Sequence, residues 1–306
     1  MNIDGNSANE IFKKSFDTVM SVGETSCPRN SLIKELRNVT LTLKNPLNNV
    51  VSVKNRNINK KYLVYEFIWY LMAEQDKTAS DMICSHAKFW DTLRNPDGSL
   101  NSNYGHYFFA PMDEVLPTEE EYKPISDYYA IHSQYEWIID TLSKDKDSRQ
   151  AVVNINNIYH KAHPTKDFPC TTAMQFMIRD NKLHLTVTMR STDLVLGYCN
   201  DVFQFTMFQE MVYNELQNVY PELEIGEYTL FTTSLHIYER HFSMMDNYEC
   251  DIENEERNNK LSEYSDFSLY DGMRLIDFYY CEIVKPKECF GNYTLCDLCS
   301  VISDER

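Results

Sequence analysis

No apolar run in this 306-residue sequence approaches the ~20 residues needed to span a bilayer. The polar opening MNIDGNSANE lacks the basic-then-apolar order of a secretory signal. Basic residues are in short supply, with 29 Lys and Arg against 46 Asp and Glu and a net charge of −17. Such a chain is poorly suited to stable nucleic-acid binding, which depends on neutralising phosphates with Lys and Arg. A nucleotide would have to be met by a local cluster of cations. The nine cysteines are odd in number and accompany no secretory signal, so reduced thiols and a cytoplasmic location are expected. With 43% hydrophobic and 25% charged residues, the chain fits a globular class and can bury one core, or one core plus an appendage.

The stretch from Phe168 to Asp201 organises the rest. Ala173, Phe176 and Ile178 mark one strand, and Leu183, Leu185, Val187 and Met189 alternate along a second, with Asp180-Asn181 at the turn. This predicts a β-hairpin with Cys170 at one strand end and Arg190 at the end of its partner. A nucleophilic sulfur and a guanidinium would share one rim of a sheet. That suits thiolate attack on an anionic substrate, because the cation anchors the anion and helps lower the thiol pKa.

Around this hairpin the periodicity predicts further elements. Ile11, Phe12, Phe16 and Met20 suggest a helix within residues 1–20, and Val39, Leu41 and Leu43 a strand over 36–43. The run KKYLVYEFIWYLM from Lys60 to Met72 predicts a buried helix with Glu66 in its middle. A carboxylate there is costly unless it is paired, protonated or functional. Residues 110–130 suggest a surface loop, Gln134 to Leu142 a helix, and Ala151 to Ile155 a short buried strand. Asn200 to Leu216 suggests a helix beginning at Asp201, where that residue could simply be an N-cap. Tyr228 to Tyr238 suggests a strand that presents His236 and Tyr238 on one face. Residues 1–245 are expected to form the main domain. Residues 246–306 are expected to be an acidic, Cys-containing extension packed on it. Four cysteines there, Cys281, Cys289, Cys296 and Cys299, match no common zinc-finger spacing, so no metal is expected.

Pro169-Cys170, Gln175-Phe176, Arg190-Ser191-x-Asp193 with Leu196-Gly197, and His236-x-Tyr238 resemble the thymidylate synthase family in order and spacing, from roughly Arg29 to His241. Asn101 to Gly105, Met189-Arg190-Ser191, Asn200-Asp201 and Leu235 to Phe242 resemble its deoxycytidylate 5-hydroxymethylase branch more than the synthase branch. The resemblance implies an α/β (α+β) fold, with a large mixed twisted sheet, flanking helices and a sheet-to-sheet homodimer. The implied reaction converts dCMP to 5-hydroxymethyl-dCMP with 5,10-methylenetetrahydrofolate and water.

Site roles also follow from the resemblance. Cys170 would add to pyrimidine C6, with Tyr104 beside it, and Glu66 would organise water and protons near the pyrimidine and the folate. Trp90 would line the folate side. Arg29, Arg190 and Ser191 would hold phosphate, with Asp193 and Asn200 also at the substrate. The His236/Tyr238 pair would bind a sugar hydroxyl. Arg149 would reach a partner's phosphate, although Gln150 stands where the family has a second arginine. Asp201 would read the base: synthases carry Asn there, which fits uracil, whereas a carboxyl can match the amine donor and N3 of cytosine. The ending Ser303-Asp304-Glu305-Arg306 departs from the apolar tail with which synthases close over folate. A methyl-forming relative acting on dUMP or dCMP and a ribonucleotide (CMP) hydroxymethylase are alternatives. A non-catalytic nucleic-acid-binding relative is a third.

Overall fold

The computed structural model describes residues 1–112, 131–162 and 164–246, together with Gly272, Met273, Leu275, Ile276 and Tyr279. Eight strands form one mixed sheet. They are β1 (Asn2–Gly5), β2 (Glu24–Ser26), β3 (Ile33–Leu43), β4 (Val152–Asn154), β5 (Thr171–Arg179), β6 (Lys182–Met189), β7 (Thr192–Asp193) and β8 (Glu224–Tyr238). The order is β1-β3-β8-β6-β5-β4, with β2 added to β3 and β7 added to β8. β8 lies between an antiparallel partner, β3, and a parallel one, β6. Among the described residues the helices are α1 (Ala8–Val22), α2 (Lys60–Leu71), α3 (Lys77–His86), α4 (Tyr104–Phe109), α5 (Gln134–Lys144) and α6 (Cys199–Leu216).

The expected hairpin is β5–β6. Asp180 and Asn181 both take positive φ, 49° and 60°, the backbone that a two-residue turn between right-twisting strands requires. Leu183, Leu185, Val187 and Met189 are buried on one face of β6. The opposite face is half-exposed across four strands: Thr42, Thr229, Thr186 and Gln175 stand in one row, and Thr40, Phe231, Thr188 and Ala173 in the next.

Helix α6 carries apolar residues nearly all round, including Phe203, Phe205, Phe208, Met211 and Val212, and is accordingly buried in the core. It begins at Cys199, two residues before the expected start. Asp201 therefore sits in the first helical turn and is not the N-cap, because a π-helical turn, Leu194–Tyr198, runs straight into the helix. At the N-terminus, α1 starts at Ala8 with Ser7 as its cap, and the residues before it form β1 beside β3. Four strand residues are too few for periodicity to reveal. Most of the loop expected at 110–130, and the cysteines from Cys281 onward, lie outside the described residues. Within the expected extension, Gly272 lies against Leu71, and the Tyr279 hydroxyl is 3.2 Å from His86 Nε2.

Candidate active site

β5 begins immediately after Cys170, and β6 ends immediately before Arg190. The Arg190 amide donates to the Cys170 carbonyl at 2.9 Å, so strand pairing itself holds the thiol and the guanidinium side by side. The guanidinium turns back along the chain. Nη2 donates to the Phe168 carbonyl at 2.7 Å and Nε to the Pro169 carbonyl at 3.2 Å, with the Phe168 ring beneath. One residue earlier, buried Asp167 accepts the Ser102 amide at 2.8 Å and the Ser102 hydroxyl, tying this loop to the start of α4.

The thiol does not follow the simple expectation. Burial pushes the Cys170 pKa above its ordinary value of 9.0, and this outweighs the downward pull of Arg190 and Arg29, while Asp201 and Asp167 push it up further. Arginine acts in the expected direction, but desolvation wins. Arg29 stands exposed on a short turn with φ of 51°, followed by Asn30 at 61°, and its charge reaches both Cys170 and His236.

Glu66 lies on α2 with only 5% of its surface exposed. Its Oε1 accepts the Tyr62 hydroxyl at 3.1 Å, and its Oε2 accepts Gln204 Nε2 at 3.2 Å. Tyr62 in turn accepts Trp90 Nε1 at 2.8 Å. Burial raises the Glu66 pKa to about 7, and the two hydrogen bonds pull against that rise. A carboxyl poised there can give or take a proton at neutral pH. Trp90 is buried, and its neighbour Phe89 is exposed, with ring centroids 4.9 Å apart. The two rings are tilted 45° to each other, so the pair presents an aromatic edge and not a single flat face.

Asp201 is close enough to Glu66 for the Glu66 carboxylate to oppose its ionisation. Burial first, then Glu66 and Asp193, holds its pKa well above the usual carboxylate range. Tyr104, buried against Phe205 at 5.8 Å, lies within electrostatic reach of both Cys170 and Asp201. Asp193 accepts the Val195 amide at 2.9 Å and the Leu196 amide at 3.2 Å, and so caps the π-turn that delivers Asp201. Ser191 is half-buried between β6 and β7. Asn200 Oδ1 is buried with no hydrogen-bond partner among the described residues.

On β8, His236 pairs in register with Asp193 of β7, and its ring meets Tyr238 edge-on at 5.2 Å. Burial lowers the His236 pKa, which favours the neutral ring, and its Nδ1 has no partner among the described residues. Arg149 stands apart from this group. It is exposed near the hairpin turn, where its carbonyl accepts Gln175 Nε2 and Arg179 donates to the Asp147 carbonyl. That is the end of β5 remote from Cys170, so within one chain Arg149 does not join the thiol.

Tyr62, Gln204 and Asp167 escaped the sequence reading. The first two had a usable signal: Tyr62 is four residues before Glu66 on one helix face, and Gln204 is one turn beyond Asp201. Among the described residues no group of three or more His, Cys, Asp or Glu could hold a metal ion, and no helix is long and apolar enough to cross a membrane.

A thiol, one buried and one half-buried acid and flanking cations near one rim of a mixed sheet define the class: an α/β fold carrying the side-chain types that thiol addition to an anionic substrate would require. A family model described as thymidylate synthase matches residues 10–277. The chain is 29% identical over 242 residues to the deoxyuridylate hydroxymethyltransferase of Bacillus phage SP01, covering 76% of this chain and 58% of that protein, under two thirds of its length. It is 27% identical over 198 residues to the deoxycytidylate 5-hydroxymethyltransferase of Enterobacteria phage T4, covering 62% and 72%. In fold it is similar to a thermostable thymidylate synthase A from Bacillus subtilis, with a TM-score of 0.58 and 18% identity over 87% of this chain and 93% of that one. The chain belongs to the thymidylate synthase family, whose enzymes are folate-dependent one-carbon transferases.

Proposed function

We propose that this enzyme hydroxymethylates C5 of dCMP, using 5,10-methylenetetrahydrofolate and water. The observation that carries the reading is Asp201, a half-buried residue beside Glu66 whose desolvated surroundings favour the protonated carboxyl. A carboxylic acid offers a carbonyl oxygen to the cytosine amine and an O–H to N3, leaving neither unsatisfied.

Pyrimidine C5 is a weak nucleophile until a sulfur adds at C6. Cys170 would form that Sγ–C6 bond, and C5 would bond to the methylene carbon as that carbon's bond to one folate nitrogen breaks. Loss of the C5 proton, together with the carbon's bond to the second nitrogen, would then release tetrahydrofolate. An exocyclic methylene is left at C5. Water adds to it as the Sγ–C6 bond breaks, and Glu66, poised at neutral pH, handles the proton that the water loses. Arg29, Arg190 and Ser191 are assigned to the phosphate. Neutral His236 and Tyr238 are assigned to the sugar hydroxyl, and Asn200 to the substrate pocket. Trp90 is assigned to the folate side of the pocket, with the exposed Phe89 beside it. A homodimer joined through the half-exposed sheet face brings each Arg149 toward the partner's phosphate site.

A uracil substrate is the second reading. The phage SP01 relative is named for deoxyuridylate, and a protonated carboxyl can rotate to suit O4 and N3–H. Mass spectrometry of products from dCMP and from dUMP, each supplied with 5,10-methylenetetrahydrofolate, decides between them. A hydroxymethyl product from dCMP with release of tetrahydrofolate is expected. Hydroxymethylation of dUMP alone favours the second reading, and a methyl product with release of dihydrofolate overturns the hydration step.

A further inference from the structure

The hydrogen bonds around Glu66 run in one direction. An indole N–H can only donate, so the Trp90 bond occupies the Tyr62 oxygen as an acceptor. The single phenolic proton is then directed to Glu66 Oε1. Gln204 Nε2 donates both to the Leu63 carbonyl at 2.9 Å and to Oε2, which holds the far side of the carboxyl. Each carboxyl oxygen thus accepts one bond, Oε1 from the phenol and Oε2 from the amide, and the two together fix the plane of the carboxyl.

We propose that Tyr62 is a positioning residue that fixes the Glu66 carboxyl and links it to Trp90, so that a ring stacked at the Trp90 indole changes how Glu66 holds its proton. The inference rests on the reading of Trp90 as the folate wall and Glu66 as the proton carrier. Its chemical sense is timing. The residue that manages water and protons is tuned by whether the carbon donor is in place, through three side chains already in contact.

Few other groups can produce the same effect. Among the described residues, the titratable groups facing Glu66 are Tyr62 and Tyr70 on its own helix and Asp201 on α6. Tyr104 of α4 reaches Tyr70 and Asp201. Tyr62 alone among these donates a hydrogen bond to the Glu66 carboxyl. Desolvation raises the Glu66 pKa and the Tyr62 bond lowers it, so loss of the phenol moves the titration upward.

The test is carbon-13 NMR of protein labelled at the glutamate side-chain carboxyl, with the Glu66 resonance assigned by its loss in Glu66→Gln. In the native protein Glu66 is expected to titrate near pH 7. Tyr62→Phe moves the midpoint upward, and Trp90→Phe, which keeps the phenol but frees its oxygen, moves it in the same direction by less. Saturating tetrahydrofolate with dCMP shifts the native midpoint and leaves that of Tyr62→Phe in place. The proposal is overturned if neither substitution moves the midpoint, or if tetrahydrofolate shifts both proteins equally. Full turnover by Glu66→Gln would instead defeat the assignment of Glu66 to chemistry while leaving the linkage intact.

Discussion

Gly197 and Asp201 face each other across a gap of one methyl group: a Cβ built on Gly197 lies 3.4 Å from Asp201 Oδ2. That is ordinary van der Waals contact, so the fold tolerates alanine here. The methyl, however, occupies space beside the carboxyl assigned to the base. Gly197→Ala is therefore expected to raise KM for dCMP by about tenfold with no loss of thermal stability. An unchanged KM would place the base elsewhere.

Replacing Asp201 by asparagine keeps the side-chain shape and removes the acid. The amide suits uracil, with N–H for O4 and C=O for N3–H. The ratio of kcat/KM for dUMP to that for dCMP is expected to rise by about a hundredfold or more. Steady-state kinetics on both nucleotides checks this, and a ratio that does not move removes Asp201 as the base reader.

Glu66 ties stability to pH. Its pKa rises from an ordinary 4.5 to about 7 on folding, so between those values the native state binds more protons than the unfolded chain. The stabilisation is complete below the unfolded pKa and is lost as pH rises through about 7. Glu66→Gln cannot ionise, and Gln204 Oε1, which has no partner among the described residues, can turn to receive the new amide. Urea unfolding is expected to show the variant gaining on the native protein by on the order of 2 kcal/mol between pH 5 and pH 8.

The Cys170 thiol, raised by burial, is predominantly protonated at neutral pH. Alkylation by iodoacetamide, followed by mass spectrometry, is expected to be slow at pH 7 and to accelerate into the alkaline range. Arg190→Gln removes a lowering influence, so it slows alkylation at any given pH. Cys170→Ser abolishes turnover while retaining dCMP binding. Rapid alkylation at neutral pH would contradict the dominance of burial.

The half-exposed sheet face is assigned to a second copy of the chain. Phe231 lies within it, opposite Thr188 on one side and Thr40 on the other. Phe231→Lys sets a charge on a surface that has to desolvate, and weakens self-association by about a hundredfold or more. Sedimentation measures this directly, and a monomeric native protein would sink the assignment.

The long elements were legible in the sequence because burial imposes their periods. The hairpin, the helix around Glu66 and the strand carrying His236 each span enough residues for alternation or helical spacing to emerge. β1, β2 and β7 are two to four residues long and owe their existence to the neighbours that recruit them. The start of α6 was misplaced because the π-turn before it has a local geometry that neither period describes. At the site, Cys170 and Arg190 could be paired from strand ends alone. The chain from Trp90 through Tyr62 to Glu66 could not be traced, since it joins residues 28 apart whose approach depends on tertiary packing. The thiol's net pKa was illegible for a related reason: the nearby cation, which does lower it, is visible in sequence, whereas the desolvation that outweighs it is not.

The Asp180-Asn181 turn lies at the far end of the hairpin from the thiol, nine residues of β5 away, or ~30 Å of extended chain. It nevertheless sets the strand register on which the 2.9 Å bond between Cys170 and Arg190 depends. A slip of one residue there would turn the buried leucines and valines outward and slide the sulfur past its cation in the same movement. An injury to that turn would therefore present as an inactive enzyme with an intact set of active-site side chains. In a survey of loss-of-activity variants, this remote corner belongs with the chemistry.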